Sequence, residues 1–167
     1  MSIKKVTSSY ILTRRSTIHR LGVFAKKDIP RGTRIIEYVG EKISKKKAER
    51  RADIPLEKHK KNKENGAVYL FVLNKKYDID GNVSYNTARR INHSCEPNCE
   101  TEIIRGKIWV IALRDIQKGE ELAYNYNYDW KDYEEHKCFC GKPKCVGFIL
   151  ADNHWWRLKR KKPALKK

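Results

Sequence analysis

The stretch RRINHSCEPNC, residues 89–99, sets His93, Cys95 and Cys99 close together among two asparagines and a proline. Side chains of these types at this spacing can hold a metal, form a nucleophile or pair as a disulfide. Further along, Cys138, Cys140 and Cys145 form C-x-C-x4-C, with Gly141 and Pro143 in the turn between them. Three thiolates on one compact loop are one short of the all-cysteine tetrahedron that structural zinc prefers. The missing ligand must come from elsewhere: Cys95 or Cys99, or one of His19, His59, His93, His136 and His154. Free thiols in a surface loop are the competing reading, but a short loop of Lys and Gly has little apolar content to fold it without a metal. A third stretch, GEELAYNYNYDW at 119–130, places Tyr124, Tyr126 and Tyr128 at alternate positions, on one face of an extended strand.

The elements that must position these groups read as short strands. GVFAKKDIPRGTRIIEYVGE (22–41) gives two strands joined by a Pro-Arg-Gly turn, with Val23, Phe24, Ile35, Ile36 and Val39 as β-formers. Ser44 caps a short basic helix over 45–52; Pro55 ends it, and 56–66 reads as a polar connector. AVYLFVLNKKYDID (67–80) is apolar enough for a buried strand continued as a hairpin. KIWVIALRDIQKGEELAYNY (107–126) repeats the strand–turn–strand logic, with its second strand running from Leu122 to Tyr126. The expected class is therefore a mostly β domain with few short helices.

Composition bounds the partners. The 167 residues carry 38 Lys+Arg against 20 Asp+Glu, a formal charge of +18. That excess favours a polyanion, nucleic acid or an assembly containing it, or an acidic protein surface. It concentrates in residues 42–63, with ten Lys/Arg against three acids, and in residues 151–167, with seven against one. Trp155 and Trp156 in the second of these read as a packing clamp for the tail. No run of about 18 apolar residues is present, so no membrane span is expected. The first residues lack the apolar run of a secretion signal. With five cysteines, this points to a reducing compartment and to metal rather than disulfides.

The order GVFA, EYVGE, YLF, ARRINHSCEPNC, GEELAYNY, CFCGKPKC resembles the SET-domain protein lysine methyltransferases with their post-SET zinc loop. NHSC-x-PN, GEEL-x-Y-x-Y and C-x-C-x4-C are jointly specific, and the resemblance covers residues 15 to 150. It implies a β-clip-like fold of short sheets with a pseudoknot, plus a small C-terminal zinc loop. The division it implies is an N-terminal segment 1–14, a SET domain 15–130 with a variable basic insertion at 42–66, a post-SET loop 131–150 and a basic tail 151–167.

The resemblance also implies site residues. Leu21, Gly22 and Val23 correspond to the turn whose backbone contacts S-adenosylmethionine; Asn92 and His93 contact the cofactor too, partly through backbone atoms. Tyr38 and Tyr126 line the lysine channel, Tyr126 nearest the transferred methyl and in reach of the cofactor. Tyr124 occupies the position that influences how many methyls are added. Phe148 corresponds to the residue covering the adenine. Cys95 becomes the fourth zinc ligand with Cys138, Cys140 and Cys145, and Cys99 a small buried hydrophobe. Arg90 departs from the family, which carries an aromatic there.

The chemistry suits these residues. The attacking amine must be neutral, although free lysine titrates near about 10.4. Desolvation in an aromatic channel and a neighbouring sulfonium both disfavour the ammonium. Tyrosine faces tolerate a methylated ammonium while their hydroxyls orient the amine. The implied substrate is a lysine-containing protein, a histone or histone-like tail. A basic enzyme then needs either an acidic groove (Glu100, Glu102, Asp129, Asp132, Glu134 and Glu135 are candidates) or nucleic acid between itself and the tail. The expected state is a monomer, in the nucleus if the host is eukaryotic, or cytoplasmic or secreted as an effector if microbial. The alternative function is a non-catalytic zinc-bearing binding module on a degenerate SET fold.

Overall fold

Ten short strands and little helix carry the chain in its computed structural model, which describes residues 5–52, 68–131 and 133–161. These form two units, each assembled from separated stretches. The first takes the residues up to Ser9, Arg34–Arg89 and Thr101–Val110; the second takes Tyr10–Thr33, Arg90–Glu100 and the chain from Ile111 onward.

The second unit is organised by one sheet. Strand β1 (Ile11–Arg15) forms an antiparallel hairpin with β2 (Leu21–Ala25), Ile11 opposite Ala25 and Arg15 opposite Leu21. Strand β10 (Glu121–Tyr124) pairs antiparallel with β2 on one side, Leu122 opposite Val23. On its other side it pairs in parallel with the two-residue β7 (Asn92–His93), Ala123 opposite Asn92 and Tyr124 opposite His93. Three segments with chemical potential, far apart in sequence, thus become neighbours in one sheet of order β1-β2-β10-β7. Val23, Leu122 and Leu150 are fully buried, and Ile29 and Ile116 meet as an isolated bridge. Burial of such side chains contributes on the order of 1.5–3 kcal/mol each, which holds this short-stranded sheet together.

Two further three-stranded sheets belong mainly to the first unit. One has the order β3 (Arg34–Tyr38), β9 (Lys107–Ala112), β8 (Cys99–Ile104), with Arg105 and Gly106 at φ 50° and 76° in the tight turn between β8 and β9. Successive positive φ values are the signature of the hairpin turn that matches strand twist. The other has the order β4 (Glu41–Ser44), β6 (Tyr77–Asp80), β5 (Leu70–Val72).

Ser44 caps the helix at 45–52 as expected, accepting from the Lys47 backbone N–H at 3.4 Å. Its basic side chains are tied down. Lys45 pairs with Asp78, Arg51 with Asp80, and Glu41 receives Lys47 at 2.6 Å and Arg51 at 2.7 Å. Part of the first basic cluster is therefore neutralised by acids on β4 and β6.

Two expectations change. The apolar run 67–80 is not a buried strand: β5 covers only Leu70–Val72, and Val72 is 62% exposed. Edge position in a three-stranded sheet leaves one side of that strand without a partner to bury it. The strand after the Lys-Gly turn ends at Tyr124 rather than Tyr126, because Asn127 adopts φ 53° and its N–H turns back to the Asn125 side chain at 2.9 Å. The connector 56–66, His59, Asp132 and the last residues of the tail (162–167) lie outside the described residues.

Candidate active site and cysteine cluster

The β2–β10–β7 arrangement fixes a polar network at the start of the second unit. Asn92 is buried, and its amide donates to Glu121 Oε1 at 2.8 Å, to Ser16 Oγ at 3.2 Å and toward the Leu21 carbonyl at 3.4 Å. The Ser16 hydroxyl in turn lies 2.7 and 2.9 Å from the two Glu121 oxygens. A Cβ on Gly22 would stand 2.2 Å from Glu121 Oε1 and 3.0 Å from the Ser16 Cβ, so a side chain there would push the Glu121 carboxylate out of this network. With its donors spent on Glu121, Ser16 and Leu21, Asn92 has its acceptor Oδ1 left as the side-chain atom to address a ligand.

Glu121 thus joins Ser16, Gly22 and Asn92, and the motif reading did not single it out. Its signal was present in GEEL, but its partners lie 105 and 29 positions away and no local pattern names them. Replacing Glu121 by Ala leaves an amide and a hydroxyl without their acceptor. The expected cost is about 2 kcal/mol, seen as a lower urea midpoint at unchanged slope; an unaltered midpoint would show that the network carries no stability. Asn98 was missed too. Its side chain clamps β10 from both sides of the amide, donating to the Glu121 carbonyl and accepting from the Ala123 N–H, both at 2.9 Å.

His93 is buried with both ring nitrogens engaged. Nδ1 accepts the Tyr126 backbone N–H at 3.2 Å, which places the proton of the neutral ring on Nε2, 3.6 Å from Cys95 Sγ. The ring therefore bridges the tyrosine segment and the cysteine cluster, and only its backbone remains for a ligand. Tyr126 donates its hydroxyl to the Ile91 carbonyl at 2.8 Å, and its ring lies 5.5 Å from His93, 5.0 Å from Tyr124 and 5.9 Å from Tyr128. The tyrosines stay clustered although the strand has ended.

The sulfurs of Cys95, Cys138, Cys140 and Cys145 all lie within 4.8 Å of one another. Cys95 is 3.7 Å from Cys138 and 3.9 Å from Cys145. Zinc–sulfur bonds of about 2.3 Å in a tetrahedron put sulfurs roughly 3.8 Å apart, so the donor set fits zinc. Within the cluster, the neighbouring Cys138 thiol, with help from His93 and against the cost of burial, holds the Cys95 thiol well below the usual thiol range, while Cys138 is pushed up. Cys99 behaves differently: burial pushes its thiol up to about 12, leaving a neutral, inert group. Phe148 approaches the cluster through its carbonyl, 3.8 Å from Cys95 Sγ, while its half-buried ring meets Tyr133 edge-on at 5.0 Å. Glu96 accepts the Lys144 N–H at 2.7 Å and ties the cysteine loop to the segment after His93.

Leu21, Gly22, Val23, Asn92, His93, Tyr124, Tyr126, Phe148 and the four cysteines are thus all residues of the second unit. Tyr38 belongs to the first, buried there with its hydroxyl donating to the Tyr69 carbonyl at 2.8 Å. Its hydroxyl and ring edge occupy the space a side chain on Gly81 would need, the hydroxyl oxygen 2.2 Å and the nearest ring carbons 2.4 Å from the Cβ position. Arg90, half-buried, begins the segment that leads into β7.

A family profile described as SET domain matches residues 20–127. The chain belongs to the SET domain family. It is 41% identical over 137 residues to Histone-lysine N-methyltransferase 2D of Homo sapiens, and 44% identical over 137 residues to Histone-lysine N-methyltransferase trr of Drosophila melanogaster. It is 39% identical over 145 residues to the Saccharomyces cerevisiae protein named Histone-lysine N-methyltransferase, H3 lysine-4 specific. These alignments cover 78%, 78% and 83% of this chain, but only 2%, 5% and 13% of the relatives' lengths. The SET match takes in β2, β7 and β10, the strands that bring the polar network and the tyrosines together.

Proposed function

We propose that this SET domain transfers methyl groups from S-adenosylmethionine to a lysine side chain of a protein, and that its substrate is histone H3 at lysine 4. The observation that carries the reading is the seating of Tyr126. Its hydroxyl donates to the Ile91 carbonyl at 2.8 Å, which fixes the phenol oxygen, a hydrogen-bond acceptor by its chemistry, within the aromatic cluster beside Tyr124. Relatives whose names specify H3 lysine 4 support this substrate, and with it a location on chromatin in a nucleus.

The residues around Tyr126 fit the cofactor by their chemistry. A half-buried aromatic ring at Phe148 suits a flat base, and Asn92 Oδ1 with the Leu21–Val23 backbone suits the polar amino-acid end. When bound, the cofactor supplies a methyl group on a cationic sulfur. The chain's own residues do the rest by placement and exclusion of water. Tyr124 and Tyr126 wall the amine with aromatic faces and disfavour its charged form. Tyr126 orients the nitrogen lone pair; as phenol and lysine have similar unperturbed pKa values, about 10 and 10.4, it serves as an acceptor while water takes the proton. Cys95, Cys138, Cys140 and Cys145 would hold a zinc with no open position, a structural role.

The test is incubation with cofactor and recombinant nucleosomes, read by mass spectrometry. Methyl groups at H3 lysine 4 are expected, and their appearance elsewhere or nowhere would overturn the substrate. Tyr124 is buried against Tyr126 and sets the product: its hydroxyl holds a water where a more methylated amine would have to turn. Wild type should therefore stop at mono- and dimethyllysine, and Tyr124→Phe should shift the product toward trimethyllysine. Predominant trimethylation by the wild type would overturn this role.

A further inference from the structure

The second basic cluster has a different structure from the first. In the helix Trp155–Lys161, Trp155 behaves as a clamp, its indole N–H donating to the Leu150 carbonyl at 3.1 Å. Trp156 does not: it is 51% exposed. Arg160 lies over its ring at 5.0 Å from the centroid, and Arg157 at 5.4 Å from the centroids of both Trp156 and Trp130. Trp130 is in turn stacked on Tyr133 at 4.3 Å. The result is a run of rings and guanidinium groups, Tyr133–Trp130–Arg157–Trp156–Arg160. Among the described residues neither arginine pairs with an acid, in contrast to Lys45, Lys47 and Arg51.

A guanidinium held over a ring at these distances is a cation–π partner, restrained on one side while its N–H groups can still donate. Two such groups, held by rings and unpaired, form a rigid donor set suited to phosphate oxygens. Although half exposed, Trp156 already carries Arg157 and Arg160 over its ring, so a base stacking on it would have to displace a guanidinium. That argues against single-stranded nucleic acid, which binds through open aromatic platforms, and for the charged backbone of a duplex. In sequence, residues 151–167 carry seven Lys/Arg against one acid and the whole chain carries +18, so the charge of the chain is complementary to a polyanion.

We infer that the Trp156–Arg157–Arg160 face docks on the phosphate backbone of duplex DNA, independent of base sequence. The inference does not depend on the methyl-transfer reading. To test it, the full chain is titrated with a fluorescent 30-base-pair duplex of random sequence across salt, beside the single strand of the same length. Arg157→Ala/Arg160→Ala should weaken duplex binding about tenfold to a hundredfold near 0.1 M salt. It should also lower the slope of log affinity against log salt by about 1.8, two phosphate contacts' worth. Arg157→Lys/Arg160→Lys, which keeps charge but not the planar guanidinium donors, should retain the slope and lose affinity. A Lys46→Ala/Arg50→Ala protein, altered in the other basic cluster, should bind as wild type does. The inference is overturned if the alanine pair binds normally, if the Lys46/Arg50 variant loses as much as the Arg157/Arg160 pair, or if the single strand binds as tightly as the duplex.

Discussion

Tyr126→Phe should lower kcat for histone methylation by about 10²–10³, with little change in the affinity for S-adenosylmethionine. The expected size is that of removing one preorganised polar group from a reacting centre. The variant keeps almost everything else. The ring remains against Tyr124, Tyr128 and His93, and the backbone N–H of residue 126 still donates to His93 Nδ1. Lost are the 2.8 Å bond to the Ile91 carbonyl and the oxygen lone pair that would orient the amine. The stability cost should stay near 1 kcal/mol, as for one neutral hydrogen bond. Single-turnover rates with saturating cofactor, together with a melting curve, separate the two effects. Turnover equal to wild type, in a protein that melts normally, would remove Tyr126 from the chemistry and leave it a packing residue.

The groups that the motifs named and the groups that hold them differ in how far they reach along the chain. His93 and the C-x-C-x4-C cysteines stand in short patterns whose spacing suggests chemistry, while Asn92 and Tyr126 are named by the resemblance to SET domains. Glu121 and Ser16, themselves 105 positions apart, hold Asn92 from 29 and 76 positions away, which only the β2–β10–β7 pairing creates. Nothing local in GEEL distinguishes a carboxylate turned toward a buried amide from one in solvent. The alternation of Tyr124, Tyr126 and Tyr128 suggested a continuous strand, yet Asn127 breaks it with a positive φ. The aromatic cluster survives because ring size bridges the bend. The cysteine arithmetic left Cys95 and Cys99 open as partners of the loop. Three-dimensional placement distinguishes them, one at the cluster and one sealed in the core with its thiol pushed up to about 12.

Removing zinc should loosen the cofactor site as well as the loop. Cys95 is the hinge: its sulfur faces the other three cysteines, receives the His93 Nε2–H and lies beside the Phe148 carbonyl. The same His93 ring holds the Tyr126 N–H through its other nitrogen. A Cys95→Ser chain offers a shorter, harder ligand that zinc binds poorly, so metal content should fall from one ion per chain toward zero. Because the metal's binding energy is folding energy for a small loop, a loss of roughly 4–5 kcal/mol is expected, lowering Tm by about 10–20 °C. Cofactor affinity, measured by calorimetry, should fall at least about tenfold as His93 and Phe148 lose their anchor. Cys99→Ser is the control, since Cys99 lies outside the cluster; it should keep its zinc and its cofactor affinity. A Cys95→Ser protein that sheds zinc yet binds cofactor as wild type does would separate the two sites. In that case the His93–Cys95 contact would be a matter of packing alone.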